Sequence, residues 1–144
     1  MLDADFSVEI LEQGQCLESL GTQSSLEDVT GAEVKNRIAA GWRKFWALQK
    51  MQLNHSCSVK KRLRLFDSTV SGTVLWASES WSPRVEELRR FQSTQRAMLR
   101  RIVGCSRRPE ELWIDWIQRT TRKARAAAKQ TGVQEWPRAH LQRK

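Results

Sequence analysis

The residues of this chain best equipped for chemistry are arginines at helical spacing. Arg96 and Arg100 fall within about 20° of Arg89 on a helical wheel, and Arg90 and Arg101 form an adjacent row. Arg107 and Arg108 carry the charge past the end of that segment. Further on, Arg122, Arg125 and Lys129 share one outer face, while Lys60, Lys61 and Arg64 point away from the apolar stripe of an earlier segment. Of the 25 cations, 17 are Arg, whose planar guanidinium binds phosphate oxygens in pairs. A phosphate backbone requires spaced cations on a rigid rod, and helices of this kind supply them. The competing interpretation is an ordinary solvated helix face. A formal net charge of +9 tips the balance toward a polyanionic partner, RNA or DNA as duplex, hybrid or single strand.

Other chemistries find no support in the residue inventory. The two histidines, His55 and His140, have no partner at ligand spacing, and the close pair Asp3 and Asp5 sits at the terminus. No glycine-rich phosphate loop and no Gly-x-Ser-x-Gly elbow occurs. Cys16, Cys57 and Cys105 are an odd number without metal-knuckle spacing, so neither zinc nor a disulfide framework is expected. No catalytic residue, metal or cofactor is therefore assigned. No apolar run approaches the ~18 residues of a membrane helix, and the first residues lack the pattern of a secretory signal. The expected location is intracellular, with no membrane partner. Seven tryptophans stand against no tyrosine. Trp42, Trp113 and Trp116 lie on apolar stripes and are assigned to the core, whereas Trp46 and Trp136 fall outside those stripes and are candidates for stacking on bases.

The elements that must position these residues can be read from periodicity. Residues 1–33 hold eight carboxylates and no Lys or Arg, so every cation lies in the later part of the chain. Within this acidic leader, residues 6–11 (Phe-Ser-Val-Glu-Ile-Leu) and 16–21 alternate like strands, which allows a short N-terminal β-hairpin about Gly14. Residues 22–30 read as a polar loop. The period then becomes helical. Thr30-x-x-Glu33 has capping-box spacing, and Val34, Ile38, Trp42, Phe45 and Leu48 predict an amphipathic helix over 31–51. Ser56 or Ser58 can cap a second helix with the stripe Val59, Leu63, Phe66 and Val70, weakened at Ser71-Gly72. Ser82-Pro83 opens a third, with Val85, Leu88, Phe91, Met98, Leu99 and Ile102 buried and Gly104 ending it. A last helix beginning at 107–109 would bury Trp113, Trp116, Ile117, Ala124 and Ala127 and close at Gly132. The fold class is thus mainly α, a bundle of about four amphipathic helices.

One stretch carries a resemblance. Residues 61–81 contain Leu65-Phe66, Val70, Leu75, Glu79 and Trp81, which fit in register a pattern running Lys-x-x-Leu-Phe, then Val-x-Pro-x-Leu-Leu-Tyr-Gly-x-Glu-x-Trp. This resembles the region after the palm in reverse transcriptases of non-LTR (LINE-type) retrotransposons. Leu88-Arg89-Arg90-Phe91-Gln92 and the run from Gln95 to Gly104 look like that family's Arg-rich helix, and Leu17-Glu18-Ser19-Leu20-Gly21 is similar to its Phe-x-Tyr-Leu-Gly turn. The likeness covers roughly 17–125. The family's Pro, Tyr and Gly are here Gly72, Trp76 and Ala77, and Ser19 replaces its turn tyrosine. Its catalytic Asp-Asp strand precedes the Leu-Gly turn, and residues 1–16 contain no such motif.

The resemblance implies the end of a palm followed by a thumb or connection region that grips template and primer, without the active site. It divides the chain into an acidic leader (1–30), a basic helical thumb-like region (31–131) and a loose basic tail (132–144). The expected activity is sequence-independent nucleic-acid binding, not polymerisation. Two other readings stay open: a decayed retroelement copy with no selected function, and a basic helical protein-interaction module.

Overall fold

The computed structural model describes residues 16–19, 22–25 and 29–143. Two strands, β1 (Cys16–Ser19) and β2 (Thr22–Ser25), pair antiparallel with Cys16 opposite Ser25 and Ser19 opposite Thr22. This pairing is not the one expected about Gly14. Residues 16–19 form the first arm of the hairpin, and part of the expected polar loop forms its second. Residues 6–11 and Gly14 lie outside the described residues.

The chain beyond the hairpin is mostly helical: α1 (Val29–Ala47), α2 (Gln49–Gln52), α3 (Val59–Phe66), α4 (Gly72–Val74), α5 (Val85–Val103), α6 (Trp113–Thr131) and α7 (Trp136–Gln142). The mainly α bundle is what forms. Its core takes one stripe from each long helix, including Val34 and Phe45 of α1, Leu63 and Phe66 of α3, Phe91, Met98 and Ile102 of α5, and Ala124 and Ala128 of α6. Gly41 lets α1 approach α4 closely, since a Cβ there would lie 2.5 Å from Val74 Cγ2. The capping box at Thr30 does not form. Thr30 is already inside α1, and Glu33 is buried in an ion pair with Arg37 one turn on.

The second helix begins as its sequence predicts, with Ser58 Oγ accepting from Lys61 N–H at 3.4 Å. Near Ser71-Gly72 it does not break but widens into a π-helical turn, Asp67–Ser71, before continuing as α4. One extra residue in the turn is how a helix absorbs a local mismatch without ending. The turn has a structural partner: Ser71 Oγ accepts from Trp136 Nε1 at 2.8 Å.

Three boundaries differ from expectation. α5 starts at Val85 rather than at Pro83, with the Glu87 carboxylate accepting from Arg84 N–H at 2.6 Å, and Val85 itself faces solvent. α6 starts at Trp113 rather than at 107–109. Pro109 disfavours a helical residue before it, and Glu110 sits at φ 67°. Trp113 consequently lies at the helix mouth, 61% exposed, instead of in the core, while Trp116 and Ile117 are half-buried. Gly104 at φ 60° and Gly132 at φ 86° end α5 and α6 as expected.

The largest correction concerns the tail. Residues 132–143 are not loose: α7 docks on α5, and Trp136 is fully buried. Its indole stacks on Phe66 at 6.0 Å and meets Phe91 edge-on at 6.3 Å, while Trp81 stacks on His140 at 4.7 Å. Trp136 is thus a core anchor and not a base-stacking residue.

Candidate nucleic-acid interface

Three segments bring the two predicted cationic stripes together. Along α5, Gln95, Arg96 and Leu99 face a groove whose opposite wall is Arg125, Ala128 and Lys129 of α6. The α6–α7 connection, with Glu135, and Arg138 of α7 close its end around a volume of about 510 Å³. Gln95 fixes this end. Its Nε2 donates to Gln134 O at 2.7 Å and its Oε1 accepts from Trp136 N–H at 2.9 Å, both within a residue that is almost wholly buried. The buried Trp136 indole then ties the same segment to the core.

Glu135 is the only carboxylate among the groove residues. Arg96 from α5 approaches Glu135 Oε1 to 3.6 Å, and Arg125 from α6 approaches the same oxygen to 3.3 Å. Gln92 Nε2 stands 3.4 Å from Oε2. Two guanidiniums from different helices converge on one acceptor, in the way two cations clasp a phosphate oxygen. Beyond the groove lining, Arg100 of α5 donates to Thr121 Oγ1 of α6 at 3.1 Å. Burial, and then the charges of Arg101 and Arg96, hold the Arg100 guanidinium below its ordinary pKa. The charge part of that shift, from Arg101 and Arg96, is what an incoming anion would relieve.

The stripe Arg89, Arg96 and Arg100 is therefore not uniformly solvent-facing. Arg89 is exposed on the ridge of α5, whereas Arg96 and Arg100 lean half-buried toward α6. Of the stripe Arg122, Arg125 and Lys129, all are exposed, and the last two line the groove. Arg90 is exposed on the other flank of α5, and Arg101 lies over the indoles of Trp42 and Trp46 on α1.

The remaining predicted residues do not join this site. Lys60, Lys61 and Arg64 are exposed on the outer side of α3, and none lines the groove. Arg107 Nε donates to Glu111 O at 2.7 Å, and Arg108 N–H donates to Glu111 Oε2 at 3.0 Å. The Glu111 carboxylate is gripped by Arg119 through two bonds of 2.8 Å. These bonds, led by the one from Arg119, lower the Glu111 pKa to about 2. The cations at 107 and 108 thus border a loop clasp whose carboxylate already has its cation.

Sequence reasoning misses Glu135, Gln95, Arg138 and Arg62. The first and third lie in the segment that reads as a tail, although Pro137 in the first turn is a helix-start signal. Arg62 stands among charged neighbours in the sequence, but it is buried, donating to Ile102 O at the end of α5 and to Cys57 O. There a guanidinium satisfies a carbonyl left over by the helix terminus.

Among the described residues no helix is long and apolar enough to cross a membrane, and no three His, Cys, Asp or Glu side chains cluster to hold a metal ion. No family model, curated protein or solved structure shows a significant match to this chain.

Proposed function

We propose that this chain binds nucleic acid through its phosphate backbone along the α5–α6 groove, without reading sequence. The observation that carries this reading is the convergence of Arg96 and Arg125 on one oxygen of Glu135. It supports reading the two predicted stripes as a single anion-binding surface, to which Arg100, Lys129 and Arg138 would add charge. The likeness of roughly residues 17–125 to the post-palm region of LINE-type reverse transcriptases supports the same assignment, since that resemblance implies a region that grips template and primer. In this reading the chain is a diverged relative of that region, without polymerase activity of its own.

The test is binding of a duplex, a hybrid and a single strand across a salt series. Backbone recognition predicts log K falling linearly with log[salt], at roughly 0.7 to 0.9 units for each neutralised phosphate, and little dependence on sequence. A slope near zero would contradict it. Primer extension should be undetectable with Mg²⁺ or Mn²⁺, and metal-dependent extension by this chain alone would overturn the assignment. One feature favours a second reading, a protein-interaction module. Leu112, Trp113 and Ile114 are three successive exposed apolar residues at the mouth of α6. Salt-insensitive capture of a protein partner, lost on changing these three, would support that reading instead.

A further inference from the structure

The exposed tryptophans of this chain are not equivalent. Trp113 lies beside other exposed apolar side chains, and Trp76 projects from the end of α4. Trp46 alone is built into a stack. Its ring lies nearly parallel to that of Trp42, 18° apart with centroids separated by 6.1 Å, and Phe45 meets it edge-on at 5.2 Å. The Arg101 guanidinium from α5 lies over both indoles, 5.3 Å from Trp46 and 5.9 Å from Trp42. Phe45 is fully buried and Trp42 half-buried, so the cluster is anchored, yet 41% of Trp46 remains open to water.

We propose that Trp46, Trp42 and Arg101 form a stacking platform for one unpaired base of a single-stranded nucleic acid. The inference rests on the backbone-binding role of the groove and adds to it a preference for unpaired strands. Flat aromatic and guanidinium surfaces at fixed orientation stack on any base, because every base offers a π face. The bases of a duplex are already stacked on one another and offer no free face along its length, so the platform distinguishes the two forms.

The cationic ridge of α5 links platform and groove. Arg100 and Arg101 are successive residues about 100° apart around the helix. One reaches Thr121 on α6 and the other the indoles on α1. A helix is about 10–12 Å across, so a strand held in the groove needs only a few nucleotides to place a base on Trp46. Arg43, one turn before Trp46 on α1, adds an exposed cation beside the platform.

The experiment compares Trp46→Ala, Trp46→Phe and the groove triple Arg96, Arg100 and Arg125→Gln against three probes at one salt concentration. The probes are a 16-nucleotide oligothymidylate, the same strand made abasic, and a blunt duplex. Trp46→Ala should weaken oligothymidylate binding roughly 5- to 150-fold, the range for one stacked base. It should leave the abasic strand and the duplex within about 2-fold of the native chain, and Trp46→Phe should restore much of the loss. The groove triple should weaken all three probes.

Should Trp46→Ala fail to fold, ultraviolet crosslinking of the native chain to a 5-iodouracil strand decides the matter, with the crosslink expected on Trp46. An unchanged oligothymidylate affinity in a folded Trp46→Ala, an equal loss on all three probes, or a crosslink elsewhere would overturn the platform. If the groove triple weakens every probe while Trp46→Ala weakens none, the platform alone is wrong. If the triple weakens none, the groove assignment fails with it.

Discussion

Two cationic regions of this molecule carry similar charge and have little else in common. Lys60, Lys61 and Arg64 ride the outer side of α3 in water, each beside cations of its own helix. Arg96 and Arg125 come from two helices and meet across a groove, close enough to share an acceptor, and Arg100 follows one turn beyond Arg96 on α5. The first set is a solvated face. In the second, Arg96 and Arg100 are half-buried, where water screens less and an anion gains more. A stripe read from a helical wheel becomes a site when a second element faces it. Here α6 packs directly on α5, and the docked C-terminal helix closes one end of the groove through Gln95 and Trp136.

The largest effect that should sharpen this contrast is on folding. Trp136→Ala removes a fully buried indole and leaves Ser71 Oγ without its donor. A loss of about 3–5 kcal/mol is expected, together with loss of groove binding. The triple change of Lys60, Lys61 and Arg64 to Gln should leave the melting temperature nearly unchanged. Calorimetry or thermal melting by circular dichroism checks both. If Trp136→Ala melts like the native chain, α7 does not hold the groove.

A smaller effect concerns Glu135. In the proposed binding mode its carboxylate competes with a phosphate for Arg96 and Arg125 and would have to be displaced. Half-exposed ion pairs of this kind contribute about 0.2–1 kcal/mol each. Glu135→Gln is therefore expected to tighten backbone binding by up to about 5-fold per pair, with little change in melting temperature. Weaker binding in a folded Glu135→Gln would mean that the carboxylate supports the site instead of competing for it.

The smallest expected effect is the pH response of the loop clasp at Glu111. Its folded pKa of about 2 lies below the ordinary carboxylate value near 4.3. A depressed carboxylate pKa adds stability that is present above the unfolded value and lost as pH falls through the folded one. The clasp should loosen between about pH 4.5 and pH 2, detectable as faster amide exchange at residues 106–111. Glu111→Gln should remove that response. Because this pair lies near the surface, groove binding near neutral pH should not follow it.

The sequence was most legible where periodicity ran long. The stripes of α1, α3 and α5, the Ser58 cap and the Gly104 and Gly132 stops all follow from spacing and backbone preference. Boundaries failed where a local side-chain bond competed with the pattern. Glu33 paired with Arg37 rather than capping α1, and Arg119 and the backbone N–H of Arg108 held Glu111 in a loop where a helix was expected. The short α7 carries too little periodicity to announce itself, and its burial depends on a contact between Ser71 and Trp136, residues far apart in the chain. The groove was therefore legible as two separate stripes but not as one site. Which arginines lean inward depends on the facing helix, and a wheel drawn for α5 alone treats Arg89, Arg96 and Arg100 alike.

Converging cations are expected to bind backbone here, and dispersed ones are not. The most direct measurement is the salt dependence of duplex binding for two triple variants with the same charge loss, Arg96, Arg100 and Arg125→Gln against Lys60, Lys61 and Arg64→Gln. The groove triple should flatten the slope of log K against log[salt] by about two to three units, and the α3 triple should leave it close to native. Equal flattening by both would show that net charge alone governs binding and would contradict the groove.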